Sequence, residues 1–80
     1  MKKILITGGT GSLGRALVAR LENDASVTGL CVFSRDEGKH ALHYGQNSRV
    51  FNYIGDIRDK EAIRKAFRRF NPTHVIHAAA

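Results

Sequence analysis

Short apolar runs recur along this chain, and they predict its strands. Residues 3–7 form a mostly apolar run that ends at two glycines, and residues 27–33 and 50–54 form two more. A short run that is apolar at consecutive positions is typical of a strand buried on both faces, as in a parallel sheet. Residues 74–77 are predicted to form a fourth strand.

The segments between these runs have the spacing of helices. A helix is predicted over residues 12–23, and a weaker one over residues 36–45, where Asp36 is a suitable N-cap. A third helix is expected to start after Asp59 and to stop before Pro72. The apolar stripe of the first helix consists of Leu13, Leu17, Val18 and Leu21, and that of the third consists of Ile63, Ala66, Phe67 and Phe70.

The predicted elements alternate in the order β-α-β-α-β-α-β. Such alternation indicates an α/β fold in which right-handed crossovers join parallel strands. A doubly wound, Rossmann-like sheet would have the strand order 3-2-1-4. The 80 residues suffice for one small α/β domain and leave no room for a second domain. We therefore expect residues 1–80 to be a truncated Rossmann-like unit.

Composition excludes several other classes of protein. Cys31 is the only cysteine, so no disulfide forms within the chain, and we expect a small core residue there. No apolar run approaches the roughly 20 residues that a membrane-spanning helix needs. The run after Lys2 and Lys3 is also shorter than the apolar core of a secretory signal, about 7–15 residues. A cytoplasmic location is the expectation that follows.

The net charge of +6 is concentrated near one predicted helix. Residues 60–69 contain five basic side chains and one acidic one, Glu61. Such a face could attract nucleic acid or another polyanion. The sequence favours the alternative of a solvated helix face, because the phenylalanines of this segment fall on its apolar stripe.

A glycine-rich turn lies between the first strand and the first helix. There, a phosphate can bind the free N–H groups of the helix N-terminus, which the helix dipole makes attractive to anions. Glycines permit the tight turn, the approach of the pyrophosphate and close packing of the helix on the strand. The turn therefore predicts a dinucleotide site. Its candidate residues are Gly8, Thr10, Gly11, Ser12, Leu13 and Gly14.

A nucleoside-triphosphate-binding P-loop is the main alternative for this turn. Gly9 and Gly14 have the spacing of that motif, but Arg15 and Ala16 replace its lysine and its serine or threonine. The sequence thus lacks the lysine that contacts the terminal phosphates and the hydroxyl that binds magnesium, which argues against an NTPase.

The turn also carries a family resemblance. Thr7-Gly8-x-x-Gly11-x-x-Gly14 resembles the TGxxGxxG fingerprint of the extended short-chain dehydrogenases/reductases. The next three strands end in SRDE (34–37), GDIRD (55–59) and HAAA (77–80). This combination is similar to the nucleotide-sugar 4,6-dehydratases of the polysaccharide-biosynthesis (CapD-like) branch, whose usual substrate is UDP-N-acetylglucosamine. The resemblance covers essentially the whole chain.

The end of the second strand bears on the choice of cofactor. An acidic residue there would bind the ribose hydroxyls of NAD, whereas a basic one would pair with the 2′-phosphate of NADP. Ser34 and Arg35 come first, with Lys39 one turn on, and a guanidinium suits phosphate. We therefore predict NADP. Asp36 leaves NAD open, because its carboxylate could face the ribose while Arg35 points to solvent.

The last two strand ends complete the expected site. The resemblance implies that Asp56 accepts a hydrogen bond from the adenine amino group and that Ile57 lies beside the ring. Alternatively, Asp56 only begins the turn before the third helix. Ala78, Ala79 and Ala80 resemble the small-residue stretch that lets the cofactor pass over the sheet edge, which is compatible with close packing under a helix.

Catalytic and metal sites are not predicted. His74 and His77 are three apart on a strand, so they point to opposite faces and cannot bind one metal ion. The chemistry of the resembled family uses a Tyr-x-x-x-Lys pair, and neither Tyr44 nor Tyr53 is followed by lysine four residues later.

These observations give a leading hypothesis and two alternatives. The leading one is the NADP-binding portion of a nucleotide-sugar dehydratase, without turnover on its own, which meets the nucleotide sugar only if a C-terminal catalytic part is present. The alternatives are a fragment of a related epimerase or reductase, and a stand-alone dinucleotide-binding module. An exposed edge at residues 74–77 would favour self-association of the chain.

Overall fold

A computed structural model describes residues 1–8, 11–35 and 50–78. These ranges contain four strands and two helices. In chain order, the elements are β1 (Lys2–Thr7), α1 (Ser12–Leu21), β2 (Val27–Ser34), β3 (Val50–Ile54), α2 (Lys60–Phe70) and β4 (His74–His77). The helix predicted over residues 36–45 lies outside the described residues.

The described strands form one parallel sheet in the order β3-β2-β1-β4. The predicted Rossmann-like order 3-2-1-4 is therefore confirmed. β1 is central: Thr7 lies opposite Phe33 of β2 on one side and opposite His77 of β4 on the other. β3 adds to the far side of β2, where Ile54 pairs with Ser34. All four carboxyl ends consequently lie along one edge of the sheet.

The two faces of the sheet carry separate apolar clusters, because side chains alternate along each strand. The first cluster packs under α1, and the second packs under α2. The first contains Ile4, Ile6, Val18, Val27, Leu30, Val32 and Val50. The second contains Leu5, Cys31, Phe33, Ala66 and Phe70.

α1 departs from its predicted form at both ends. It stops at Leu21, two residues earlier than expected. The side-chain amide of Asn23 donates to the Ala19 carbonyl, and the backbone N–H of Asp24 donates to the Leu21 carbonyl. These contacts end the helix in a turn. The predicted place of Leu13 on the apolar stripe is wrong, since this side chain is 60% exposed at the first turn of the helix.

α2 is well defined at both ends. The Asp59 carboxylate accepts from the backbone N–H groups of Glu61 and Ala62, which confirms the predicted N-cap. At the other end, Asn71 adopts a left-handed conformation, and its N–H donates to the Phe67 carbonyl. Phe67 itself is 40% exposed, so it lies at the margin of the predicted stripe.

The outer edge of β4 bears on the self-association expected from the sequence. Within the described ranges, β4 pairs only with β1, and its Val75 side chain is half exposed. The self-association expected at this edge stays a prediction.

Neither described helix has the length and apolar character that crossing a bilayer would require.

Cys31 gives a first test of the second cluster. Burial raises the pKa of its thiol to about 11, well above the usual value of about 8.5. Because the unfolded chain loses this proton at lower pH than the folded chain, the free energy of unfolding should decrease as pH rises from about 9 to 11. Urea denaturation at several pH values measures this decrease.

The matched control for this test is Cys31→Ala, whose stability should fall less over the same pH range. Alkylation of Cys31 by iodoacetamide at pH 8 should also be slow in the folded chain and fast in urea, since the thiolate is the reactive form. Equal pH dependence in the two proteins would contradict the burial of the thiol.

Candidate dinucleotide site

The turn after β1 reverses the chain at the carboxyl edge of the sheet. Gly8 has a φ of 72°, a left-handed conformation that glycine adopts without steric cost. Its N–H donates to the Phe33 carbonyl at 3.1 Å, and its own carbonyl accepts from the Gly11 N–H at 3.2 Å. The turn is therefore fixed to β2 before α1 begins. Gly9 and Thr10, the latter a predicted site residue, lie outside the described residues.

The N-terminus of α1 is open to an anion. Gly11 occupies the N-cap in extended conformation, no side chain caps the helix among the residues described, and its first turn has no acidic side chain. The backbone N–H of Arg15 donates to the Gly11 carbonyl, which is the first hydrogen bond of the helix. The N–H groups of Ser12, Leu13 and Gly14 therefore precede it and have no partner within the helix. α2 differs, since Asp59 caps it and Glu61 lies in its first turn.

A side-chain hydrogen bond joins β1 to β4 beside this turn. The Thr7 hydroxyl lies 2.5 Å from Nδ1 of His77, and the Ala78 N–H donates to the Thr7 carbonyl at 2.9 Å. Thr7 is buried, and the strand order reverses between these two strands, where doubly wound folds bind dinucleotides. No local pattern in the sequence predicts this pair, because its members lie 70 positions apart. Ala78 is half-buried beside it.

Ser34 is buried at the end of β2. Its hydroxyl has no hydrogen-bond partner among the described residues, although the residue is only 7% exposed. Ser34 lies two positions after Val32, so its side chain faces the same side of the sheet as α1. A buried hydroxyl without a partner is costly, and a ligand hydroxyl or phosphate at this edge would satisfy it.

Asp56 lies at the end of β3 between two arginines. Its carboxylate accepts from the Arg58 backbone N–H at 2.9 Å, from Arg58 Nη2 at 2.8 Å and from Arg58 Nε at 3.2 Å. Nη1 of Arg35 is 3.9 Å from Oδ2 of the same carboxylate. These hydrogen bonds hold the pKa of Asp56 well below its usual range. Asp56 thus stays ionised, and it does begin the turn that the alternative interpretation expected.

Gly55 is required by packing next to this group. A Cβ at this position would lie 2.9 Å from the Phe33 ring and 3.1 Å from the Ala62 side chain. The glycine therefore lets β3 pass close to the second cluster before Asp56. Ile57, the other predicted residue here, is 41% exposed and is available to a ligand. The remaining predicted residues, Asp36, Lys39, Ala79 and Ala80, lie outside the described ranges.

The two histidines of β4 contact different partners. His74 contacts Thr73, and His77 contacts Thr7. No group of three or more candidate ligands occurs within residues 1–8, 11–35 and 50–78.

The parallel sheet order and the flanking helices define a Rossmann-type α/β unit. The family model described as polysaccharide biosynthesis protein matches residues 4–80. The chain belongs to this family, and the resemblance inferred from the motifs is confirmed.

Two enzyme types occur among the curated relatives. The UDP-N-acetylglucosamine 4,6-dehydratase (inverting) of Campylobacter jejuni (strain 81-176) is 41% identical over 85 residues, which cover 99% of this chain and 24% of the relative. The UDP-glucose 4-epimerase of Rickettsia bellii (strain OSU 85-389) is 41% identical over 87 residues, with the same coverage. The chain spans about a quarter of the length of these relatives.

Solved structures agree with the fold. WbmG of Bordetella bronchiseptica, crystallised with NAD and UDP, has a TM-score of 0.84 and 29% identity, and the match covers 99% of this chain and 25% of WbmG. L-Threonine dehydrogenase of Clostridium difficile has a TM-score of 0.79 and 28% identity, with 100% and 24% coverage.

Proposed function

We propose that this chain is the NADP-binding portion of a nucleotide-sugar 4,6-dehydratase that acts on a UDP-N-acetylglucosamine-type substrate. The observation that carries the proposal is the uncapped N-terminus of α1 behind the Gly8 turn, at the edge where β1 and β4 diverge. An anion placed there meets free N–H groups and the positive end of the helix dipole. The pyrophosphate of a dinucleotide fits these requirements.

The adenosine end of the cofactor would extend from this turn toward the ends of β2 and β3. Asp56 is an ionised acceptor for the adenine amino group, and the exposed Ile57 would lie beside the ring. Arg35 presents a 72% exposed side chain that could pair with a 2′-phosphate. The guanidinium of Arg35 supports NADP, whereas WbmG, which was crystallised with NAD, supports the alternative.

The residues of this chain would bind and orient the cofactor. The nicotinamide ring supplies the hydride chemistry when it is bound. These 80 residues contain no Tyr-x-x-x-Lys, and we propose that the acid and base groups belong to sequence outside them. Turnover of a nucleotide sugar is accordingly not expected from this chain alone.

Comparing the two cofactors tests this proposal. We expect the dissociation constant for NADP⁺ to be lower than that for NAD⁺, because the Arg35 guanidinium pairs with the extra phosphate. In Arg35→Ala, NADP⁺ should bind about five- to twentyfold more weakly, while NAD⁺ should change little. Isothermal titration calorimetry measures both constants.

The matched control is Arg20→Ala, which removes an equal charge from the last turn of α1, away from the carboxyl edge. It should leave the ratio of the two constants unchanged. Equal affinities in the wild-type chain, or tighter NAD⁺, would refute NADP as the cofactor. Absence of binding by either dinucleotide would refute the site itself.

An epimerase is the second candidate function, because the Rickettsia epimerases match this chain as well as the dehydratases do. Both enzymes would use the same cofactor half. Product analysis separates them when the chain is joined to the remainder of the coding sequence. A 4-keto-6-deoxy sugar indicates the dehydratase, and a C4-inverted sugar indicates the epimerase.

A further inference from the structure

Two guanidinium groups share one carboxylate at the carboxyl ends of β2 and β3. Nη2 of Arg58 is 2.8 Å from Oδ2 of Asp56, and Nη1 of Arg35 is 3.9 Å from the same oxygen. The Arg58 contact is the closer one, and Arg58 Nε adds a second hydrogen bond at 3.2 Å to Oδ1. Asp56 is therefore paired mainly with Arg58.

The backbone strengthens this preference. The N–H of Arg58 donates to Oδ1 of Asp56 at 2.9 Å, so one residue fixes the carboxylate through both its main chain and its side chain. Arg35 lies beyond hydrogen-bond distance from Oδ2. Its donors are consequently not consumed by the carboxylate and can pair with another anion.

The net charge around Arg35 depends on Arg58. Arg35, Arg58 and Asp56 together carry two positive charges and one negative charge, a net of +1. Without Arg58, the carboxylate would keep only Arg35 of these two arginines as a cationic partner, and the net charge of the pair would be zero. A carboxylate at this position then both neutralises Arg35 and repels a phosphate.

We propose that Arg58 is a specificity-determining positioning residue, which holds and neutralises Asp56 so that Arg35 can donate hydrogen bonds to the 2′-phosphate of NADP. Arg58 acts through Asp56 and need not touch the cofactor. The inference rests on the proposed NADP-binding function and deepens it, because it explains how one site can offer a carboxylate to adenine and still admit a phosphate nearby.

The exposure of the two arginine side chains limits the loss of NADP⁺ affinity expected in Arg58→Gln. The side chains of Arg58 and Arg35 are 78% and 72% exposed, so water and salt screen their interactions. Arg58→Gln should therefore weaken NADP⁺ binding by about two- to tenfold at low ionic strength. The loss should shrink as salt is added. NAD⁺ affinity should change little, since NAD⁺ lacks the 2′-phosphate.

The experiment measures dissociation constants for NADP⁺ and NAD⁺ by calorimetry at low and physiological salt. Arg64→Gln is the matched control, because Arg64 is an exposed arginine that also pairs with an acid, Glu61, at 2.9 Å. It removes the same charge from the outer surface of α2. The control should leave the ratio of the two constants unchanged.

A double variant separates an electrostatic role from a structural one. Asp56→Asn combined with Arg58→Gln restores the net charge of +1 around Arg35, so the ratio of NADP⁺ to NAD⁺ affinity should return toward the wild-type value. A merely structural loss at Arg58 would not be rescued by a second substitution. Thermal unfolding of each variant confirms that all of them are folded at the assay temperature.

The failures of the two proposals are distinguishable. If the wild-type chain prefers NADP⁺ and Arg58→Gln leaves that preference intact, the role of Arg58 is refuted and the proposed function stands. Equal weakening of both cofactors, or no rescue in the double variant, refutes the inference as well. If the wild-type chain shows no preference for NADP⁺, the proposed cofactor fails and the inference fails with it.

Discussion

Replacing Phe33 with alanine is expected to lower the free energy of unfolding by about 3–5 kcal/mol. Phe33 is 1% exposed, and its ring stacks on Tyr53 with centroids 5.7 Å apart. It also fills the space above Gly55. The substitution leaves a cavity under α2 that the surrounding strands cannot close. Urea denaturation followed by circular dichroism measures the loss.

Phe51→Ala is the matched control for this prediction. Phe51 lies on the neighbouring strand β3 and is 61% exposed, with its ring 5.8 Å from that of Phe70. Its removal should cost about 1 kcal/mol or less. Eighty residues have a total stability of only about 4–12 kcal/mol, so Phe33→Ala should remove a large share of it. Similar losses in the two variants would contradict the described core.

Replacing Gly8 with alanine is expected to lower both stability and dinucleotide affinity. Its left-handed φ of 72° disfavours any side chain, so Gly8→Ala should cost about 1–2 kcal/mol of stability. The variant relieves the strain by moving the turn, which displaces the N–H groups at the start of α1. Dinucleotide affinity should therefore fall roughly tenfold or more. Calorimetric titration with NADP⁺, at a temperature where the variant is folded, measures this loss.

Gly29→Ala provides the comparison, because Gly29 lies in β2 away from the turn. A Cβ there would meet the Phe70 ring at 3.4 Å, an ordinary contact distance. This variant should keep its affinity for the dinucleotide whatever happens to its stability. If the two variants bind NADP⁺ equally well, the Gly8 turn does not form the phosphate site.

Much of the fold follows from the sequence because its signals are local. Three apolar runs and the short segment 74–77, separated by segments of helical spacing, indicate a parallel sheet, and the doubly wound arrangement then gives the strand order. The prediction fails where tertiary contacts outweigh periodicity. Leu13 has the right spacing for the stripe, but it lies in the first turn of α1, beyond the sheet surface that Val18 covers.

The candidate site also contains residues that local motifs predict and residues that depend on tertiary contacts. Gly8 and Asp56 could be predicted, since each follows a strand and belongs to a recognisable motif. The Thr7–His77 hydrogen bond could not, because it depends on the register between two distant strands. The hydrogen bonds of Arg58 to Asp56 could not be predicted for a different reason. The two residues are only two positions apart, but an exposed arginine in a turn has no distinctive pattern.

The central position of β1 has a consequence for how the chain folds. β1 precedes its partner β4 in the chain, and the contacts of Lys3 with Thr73 and of Thr7 with His77 each join residues 70 positions apart. Pairings so distant in sequence slow folding, because the entropy of closing the loop is lost before the contacts form. During synthesis, one edge of an apolar strand therefore stays unpaired until the residues up to β4 have emerged. Chaperones that shield exposed strands would act on this nascent chain before the sheet is complete.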